Sequence, residues 1–246
     1  MVKLPGNPTK KRLALLAVGA GVTLIVVAFL LVYFVVFPTS SPKPFKLATS
    51  TAAAAEGTGS ASTSTVSAGG RWSIVAGSQA GYRVREKLAF LPAQSDAVGR
   101  TSSITGAAAL TESKDTLAIA AASFDVAVNT LKSDRSMRDE KIHEIGLESN
   151  RYPTATFALS VPVTLAKRAL TGHVTRASVT GVFTIHGTSK RETFPVEFSL
   201  SGSTLEAAGS LTFPWSEFGM TAPSVGGFVN VTEKATMEFD LRLQRA

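Results

Sequence analysis

The 246-residue chain contains no cysteine and only three histidines, His143, His173 and His186. Without a thiol there is no disulfide framework, no thiolate metal ligand and no cysteine nucleophile, so any folded part must be held by its core. The histidines form no H-x-H, H-x-x-x-H or H-E-x-x-H arrangement, which leaves a preformed metal site without support. His143 beside Glu144 reads as a surface pair on a helix. Neither G-x-S-x-G nor G-x-x-x-x-G-K-[ST] occurs, and Gly226-Gly227 opens no helical pattern. Asp139 and Glu140 are adjacent carboxylates, but neighbours on a helix diverge by about 100° and cannot share a substrate. A conventional enzyme is therefore the weaker class, and nothing asks for a cofactor.

Basic charge is likewise scarce where it would matter. The net charge is +7, but residues 1–70 hold six Lys/Arg against one Glu, which leaves residues 71–246 at +2. No basic patch on that larger part asks for nucleic acid.

What the chain does have is a long apolar run. Leu13 to Phe37 carries no charge over 25 residues, enough at ~1.5 Å per residue to cross the ~30 Å hydrocarbon core with some tilt. It is too long for a signal-peptide core of about 7–15 residues, and no small-x-small cleavage site follows it. Lys3, Lys10, Lys11 and Arg12 precede the run, whereas only Lys43 and Lys46 follow it closely. The positive-inside rule then places residues 1–12 in the cytoplasm, a membrane-spanning helix over 13–37, and everything after it outside. Residues 38–70 are 27 of 33 Ser, Thr, Ala, Gly or Pro. Phe45, Leu47 and Val66 are too scattered there to bury one another, so the segment reads as a passive tether.

From Arg71 to the end, residues 71–246, the pattern is period two, the spacing that gives a strand one wet and one dry face. Tyr82, Val84, Leu88 and Phe90 alternate with Arg83, Arg85 and Lys87. The same holds for Ala155, Phe157, Leu159 and Val161, for Val179, Phe183 and Ile185, and for Phe194, Val196, Phe198 and Leu200. The clearest run is the last, where Ala235, Met237, Phe239, Leu241 and Leu243 alternate with Thr236, Glu238, Asp240 and Arg242. Gly-Thr-Ser at 187–189 and Ser-Gly-Ser at 201–203 separate neighbouring runs as hairpin turns. In TLAIAAASFDVAV the apolar set slips by one residue between Ala120 and Ser123, which predicts a β-bulge. About eight half-buried strands without βαβ alternation predict an all-β fold, a closed or nearly closed antiparallel barrel, with a two-sheet sandwich as the competing architecture.

One helix interrupts the strands. Asp134 or Ser133 can cap it, Met137, Lys141 and Ile145 continue it with Ile142 widening the apolar stripe, Gly146 stops it, and Pro153 starts the next strand. It reads as a corner crossing the barrel end, with Ile142 and Ile145 as lid residues if it covers the mouth.

An eight-stranded barrel is filled by its own side chains or holds one small ligand. The inward set mixes Phe157, Phe183, Phe198 and Phe239 with Ala155, Ala177, Gly181 and Ala235, and the pattern by itself leaves both outcomes open. The candidate lining residues are Tyr82, Val84, Leu88, Phe157, Leu159, Val179, Phe183, Ile185, Phe198, Met237 and Phe239. Glu86 falls on the same inward face, where a lone carboxylate is costly. Either a small twist or bulge turns it outward or a cross-strand arginine neutralises it, or it contacts a ligand head group with Arg100 as its neighbour.

An ordered set of short matches runs through this domain. It comprises Trp72-Ser73-Ile74, Gly81-Tyr82-Arg83-Val84, Val98-Gly99-Arg100-Thr101, Ser123-Phe124 with Leu131, Arg138-Asp139, and Tyr152-Pro153-Thr154-Ala155-Thr156-Phe157. Gly181-x-Phe183-Thr184-Ile185-x-Gly187-x-x-Lys190 and Trp215-Ser216-Glu217-Phe218-Gly219-Met220 complete it. In these residues the domain resembles the YceI-like family, and its membrane-tethered form looks like the actinobacterial branch. The resemblance implies a lipocalin-like antiparallel barrel, exported from the cytoplasm, that accepts a polyisoprenoid chain such as a quinone tail or a polyprenyl phosphate. It implies no catalytic residue. Two departures stand out: Glu86 stands where many relatives have histidine, and Ile142-His143-Glu144 and Leu147 replace the usual residues after Arg138-Asp139. The leading expectation is a membrane-tethered lipid binder for transport or storage. The alternative is a packed-core barrel that serves as a cell-envelope interaction or stress-response module.

Overall fold

The strands form because apolar residues recur at every second position, and their pairing order turns one sheet into a closed wall. The computed structural model describes residues 41–47, 68–88, 94–170, 172–225 and 229–246, apart from the side chains of Leu88, Val225 and Val229. The apolar run 13–37, most of the tether and Phe90 lie outside the described residues. Among the described residues no helix is long and apolar enough to cross a membrane.

Among the described residues twelve strands occupy eight positions around the barrel. β1 (Gly70–Ile74) and β2 (Gln79–Leu88) make one bent strand, as do β3 (Gln94–Thr101) with β4 (Ile104–Glu112), and β6 (Thr154–Leu159) with β7 (Val163–Ala166). β5 (Thr116–Ala127), β8 (Thr175–Ile185), β9 (Thr188–Ser201), β10 (Thr204–Pro214) and β12 (Val229–Arg245) supply the other positions, and the two-residue β11 (Ser224–Val225) pairs with β12. All pairs are antiparallel. β12 closes the barrel: it pairs with β10 from Lys234 to Gln244 on one side, and on the other with β2 and then with β1 through Ile74↔Leu243.

Bends and bulges have local causes. Between β1 and β2 the buried Ser78 donates its hydroxyl to the Val75 carbonyl at 2.9 Å and accepts the Arg242 amide at 2.9 Å, which pins the kink to β12. On β5 the register passes from Ala109↔Ala121 to Leu110↔Ile119, so Ala120 is the extra residue, inside the window where the sequence loses phase. A second irregularity, on β12 between Val231 and Ala235, is stitched by the Trp215 indole, which donates to the Thr232 carbonyl at 2.9 Å. The β8–β9 turn falls on His186-Gly187, one residue earlier than the expected Gly-Thr-Ser, with φ of 52° and 71°. Two consecutive left-handed residues are what a tight two-residue hairpin needs. Val161 does not extend β6. The strand ends at Leu159, and Val161 is 44% exposed in the following turn.

The crossover helix differs in phase from the sequence pattern. α1 spans only Ser136–Lys141 and loosens into a π-turn over Ile142–Gly146. Ser133 and Asp134 do not cap it. Ser133 turns back on Arg135, and its amide donates to Asp139 Oδ1 at 2.8 Å. Arg138 sets the rotation by a bidentate pair with Glu86 at 2.9 and 3.0 Å. The face carrying positions 138, 142 and 146 therefore meets the barrel, with Ile142 and Gly146 buried, whereas Met137 is 68% and Ile145 39% exposed. His143 belongs to the same corner: one ring nitrogen meets Ser149 Oγ at 2.6 Å and the other the Leu131 carbonyl at 3.2 Å.

Part of the tether is not a free spacer. Pro42–Leu47 lies against the outer wall, where Arg83 and Arg100 donate to the Pro42 and Lys43 carbonyls at 2.6 Å each. The Arg100 guanidinium sits 3.8 Å from the Phe45 ring centroid, and the Leu47 amide donates to Glu197 Oε2 at 3.1 Å. Phe45 and Leu47 do not bury one another, as their spacing suggests, but each finds a partner on the barrel. Beneath this strap Glu238, its side chain 1% exposed, is held by Arg83 at 3.3 Å and Arg100 at 2.8 Å.

Glu238→Ala leaves the largely covered Arg100 without its carboxylate and Arg83 with Asp96 alone, and should lower the unfolding free energy of the full chain by about 3 kcal/mol in urea titration. A loss under about 0.5 kcal/mol would reduce the triad to an ordinary surface pair.

Candidate functional site

Inside the wall, period-two alternation brings the apolar faces of all eight positions together around a cavity of about 180 Å³. The barrel is therefore neither the sandwich nor the fully packed core that the pattern allowed. Aromatic rings build its middle. Phe157 lies 4.8 Å from Phe183 and 6.0 Å from Phe194 between centroids, Phe124 stacks on Phe157 at 6.4 Å, and Phe239 meets Phe194 edge-on at 6.1 Å.

These rings leave space because glycines let them lie along the wall. A Cβ on Gly181 would sit 2.2 Å from the Phe157 ring, one on Gly99 2.3 Å from the Tyr82 ring, and one on Gly209 2.7 Å from Phe239. Real atoms do not approach so closely, so any side chain there would drive the ring into the lumen. The free surface is uneven. Val179, Phe183, Ile185, Phe194 and Phe198 on β8 and β9 are buried, whereas Phe124, Phe157, Leu159, Met237 and Phe239 on β5, β6 and β12 are only half-buried.

Ten of the sequence-predicted residues line this cavity: Tyr82, Ile142, Phe157, Leu159, Val179, Phe183, Ile185, Phe198, Met237 and Phe239. Val84 is buried on the same face of β2 but is not in the lining. The side chain of Leu88 lies outside the described residues. Three placements differ from expectation. Ile145 points to solvent, because the Arg138 anchor rotates the helix. Arg100 is not a neighbour of Glu86; its side chain leaves the barrel and binds Glu238 and the strap. Glu86 is buried but engaged by Arg138, which also pairs with Asp134. Burial disfavours the charge on Arg138, but the hydrogen bonds and charges of Glu86 and Asp134 outweigh it and hold the guanidinium more firmly protonated than usual.

Phe124 and Phe194 also line the cavity, and their alternation could have found them. Trp215, Met220 and Leu147 line it from turns, where no periodicity marks an inward residue. Only the matched run Trp215 to Met220 hinted at the first two.

Most polar members of the lining are engaged elsewhere. Glu238 is held by its two arginines, Thr236 Oγ1 meets Thr212 Oγ1 at 2.7 Å, and the Trp215 indole serves Thr232. Thr156 stands opposite Asp125 and Thr184. Tyr82 is the buried exception: its hydroxyl makes no hydrogen bond of normal geometry, and burial pushes its pKa well above the ordinary tyrosine value despite the opposing Arg138 charge and the Ser133 side chain beside it.

The family model described as the YceI-like domain matches residues 72–243. No curated protein matches the chain. A domain from Saccharophagus degradans, described as polyisoprenoid binding and implicated in plant cell wall breakdown, is similar with a TM-score of 0.53 at 13% identity, covering 71% of this chain and 98% of its own. BcnA of Burkholderia cenocepacia is similar with a TM-score of 0.46 at 19% identity, over 66% of this chain and 95% of its own. A mutant YCEI protein of Campylobacter jejuni reaches a TM-score of 0.45 at 13% identity, over 60% and 84%. At 13% identity the likeness to the Saccharophagus degradans domain is one of fold alone.

Gly181→Val should turn the Phe157 ring into the lumen. A crystal structure of the variant is expected to show the cavity at Phe157 largely filled; an unmoved ring would mean that the wall yields instead.

Proposed function

Because the chain belongs to the YceI-like domain family, we propose that its barrel holds a polyisoprenoid or similar long apolar chain in the lumen, for transport or storage. The observation that carries this reading is the apolar cavity of about 180 Å³ inside a closed wall. The description of the Saccharophagus degradans domain as polyisoprenoid binding supports it. No strong polar site is needed: ten buried methylene-sized units at ~0.8 kcal/mol each supply ~8 kcal/mol before ordering costs. Met237 and Leu159, half-buried on the free side of the cavity, are the side chains a longer occupant would displace.

The same proposal assigns residues 13–37 to a membrane anchor of the actinobacterial type and the barrel to the outer side of that membrane. The support is the uncharged run and the basic residues ahead of it. A tethered barrel would stay near the bilayer that stores such lipids. The reading gives no residue a catalytic role.

Full-length protein purified from its own membranes should yield close to one equivalent of an isoprenoid-containing lipid on solvent extraction and mass spectrometry. Extracts without lipid, together with no binding of long-chain isoprenoids in titration, would end the lipid reading. In fractionated cells the chain should resist carbonate extraction, and protease added outside should degrade the barrel; a carbonate-soluble or protected barrel would refute the anchor or its orientation.

A further inference from the structure

The lumen contains one polar group that the fold leaves unanswered. Tyr82 is 9% exposed, lines the cavity, and its hydroxyl has no hydrogen-bond partner. A buried hydroxyl without a partner is costly, and the other polar members of the lining are engaged elsewhere or stand on the outer side of their strands.

Charge at this site is already balanced. Among the described residues no Lys, Arg or His lines the cavity. The cation nearest in function, Arg138, spends Nε and Nη2 on Glu86 and Nη1 on Asp134 and Ser133. Around Tyr82 the charge of Arg138 works against those of Asp139 and Glu86, and the Ser133 hydroxyl beside it already serves Arg135 and Arg138. A phosphate brought into such a lumen would be an unpaired anion in apolar surroundings, which is far costlier than an uncharged oxygen.

We propose that the Tyr82 hydroxyl is the hydrogen-bonding contact for the polar end of the bound lipid, and that this end carries an uncharged oxygen, an alcohol, phenol or quinone carbonyl, rather than a phosphate. The inference rests on the lumen being a lipid site and adds the residue and the chemistry that select among lipids. Tyr82 touches the ligand but takes part in no reaction. Its ring lies over Gly99, cross-strand on β3, so the hydroxyl is placed by the wall itself rather than by a mobile loop.

The test uses full-length protein in detergent and three probes of related chain structure: squalene, geranylgeraniol and geranylgeranyl phosphate. The alcohol should bind at least tenfold more tightly than the phosphate. Tyr82→Phe should weaken the alcohol about fivefold, the loss of one hydrogen bond, and leave squalene unchanged. Without ligand the same variant should melt no lower than the parent chain, because it removes a hydroxyl that had no partner.

Equal weakening of squalene would show that Tyr82 is only wall, and phosphate binding as tight as alcohol would overturn the uncharged preference. A lower melting temperature for the ligand-free variant would mean that the fold itself uses the hydroxyl. Failure of all three probes would instead remove the lipid site on which the inference stands.

Discussion

The wall closes on β12, and the rest of the molecule follows from that closure. One strand of 17 residues serves β10 along one edge and β2 and β1 along the other, so the sheet has no free edge at the seam. Eight positions set a circumference just wide enough for side chains or one small ligand. The interior is left partly empty because the largest rings do not stand across it. Tyr82, Phe157 and Phe239 lie over Gly99, Gly181 and Gly209, and each glycine converts a ring that could plug the lumen into part of its lining.

Closure also sorts the polar groups, and the two buried glutamates show how. Glu238 faces outward from β12 and is covered by Arg83, Arg100 and the strap Pro42–Leu47. Glu86 sits on the inward face of β2, where no neighbour on the barrel answers it. Arg138 reaches it from the crossover helix, and that bond fixes which helical face meets the barrel. The charged run of the crossover helix is thus a corner. Its arginine is an anchor, its His143 bridges Leu131 and Ser149, and Ile142 and Leu147 are what it shows to the lumen. With these charges paired within the protein, the Tyr82 hydroxyl is the polar contact left to a ligand.

Strand faces were legible from local pattern because alternation is a property of the strand alone. Ala235 to Leu243 could be assigned inward residue by residue, and even the extra residue at Ala120 left its mark as a slip in phase. On the helix the expected stripe holds at Ile142 but lies one position off the packed face at Met137 and Ile145. Met137, Lys141 and Ile145 have helical spacing, but the face that packs was chosen by Arg138 and Glu86, 52 residues apart in the chain. Arg100 misled for a similar reason: its strand was clear, but its partner Glu238 lies 138 residues away. Trp215 and Met220 come from a turn, where no period exists to read.

By itself, then, the sequence determined the all-β architecture, the face of nearly every strand, the want of metal and nucleophile motifs, and the long uncharged run near the start. Each of these depends on residues within a few positions of one another. Tertiary structure decided whether the lumen is open, which helix face covers it, that a stretch of tether docks on the wall, and that the buried Tyr82 hydroxyl in the lining is left without a hydrogen bond of normal geometry. Those outcomes depend on ring against glycine and charge against charge across strands distant in sequence, and only the closed wall brings them within contact.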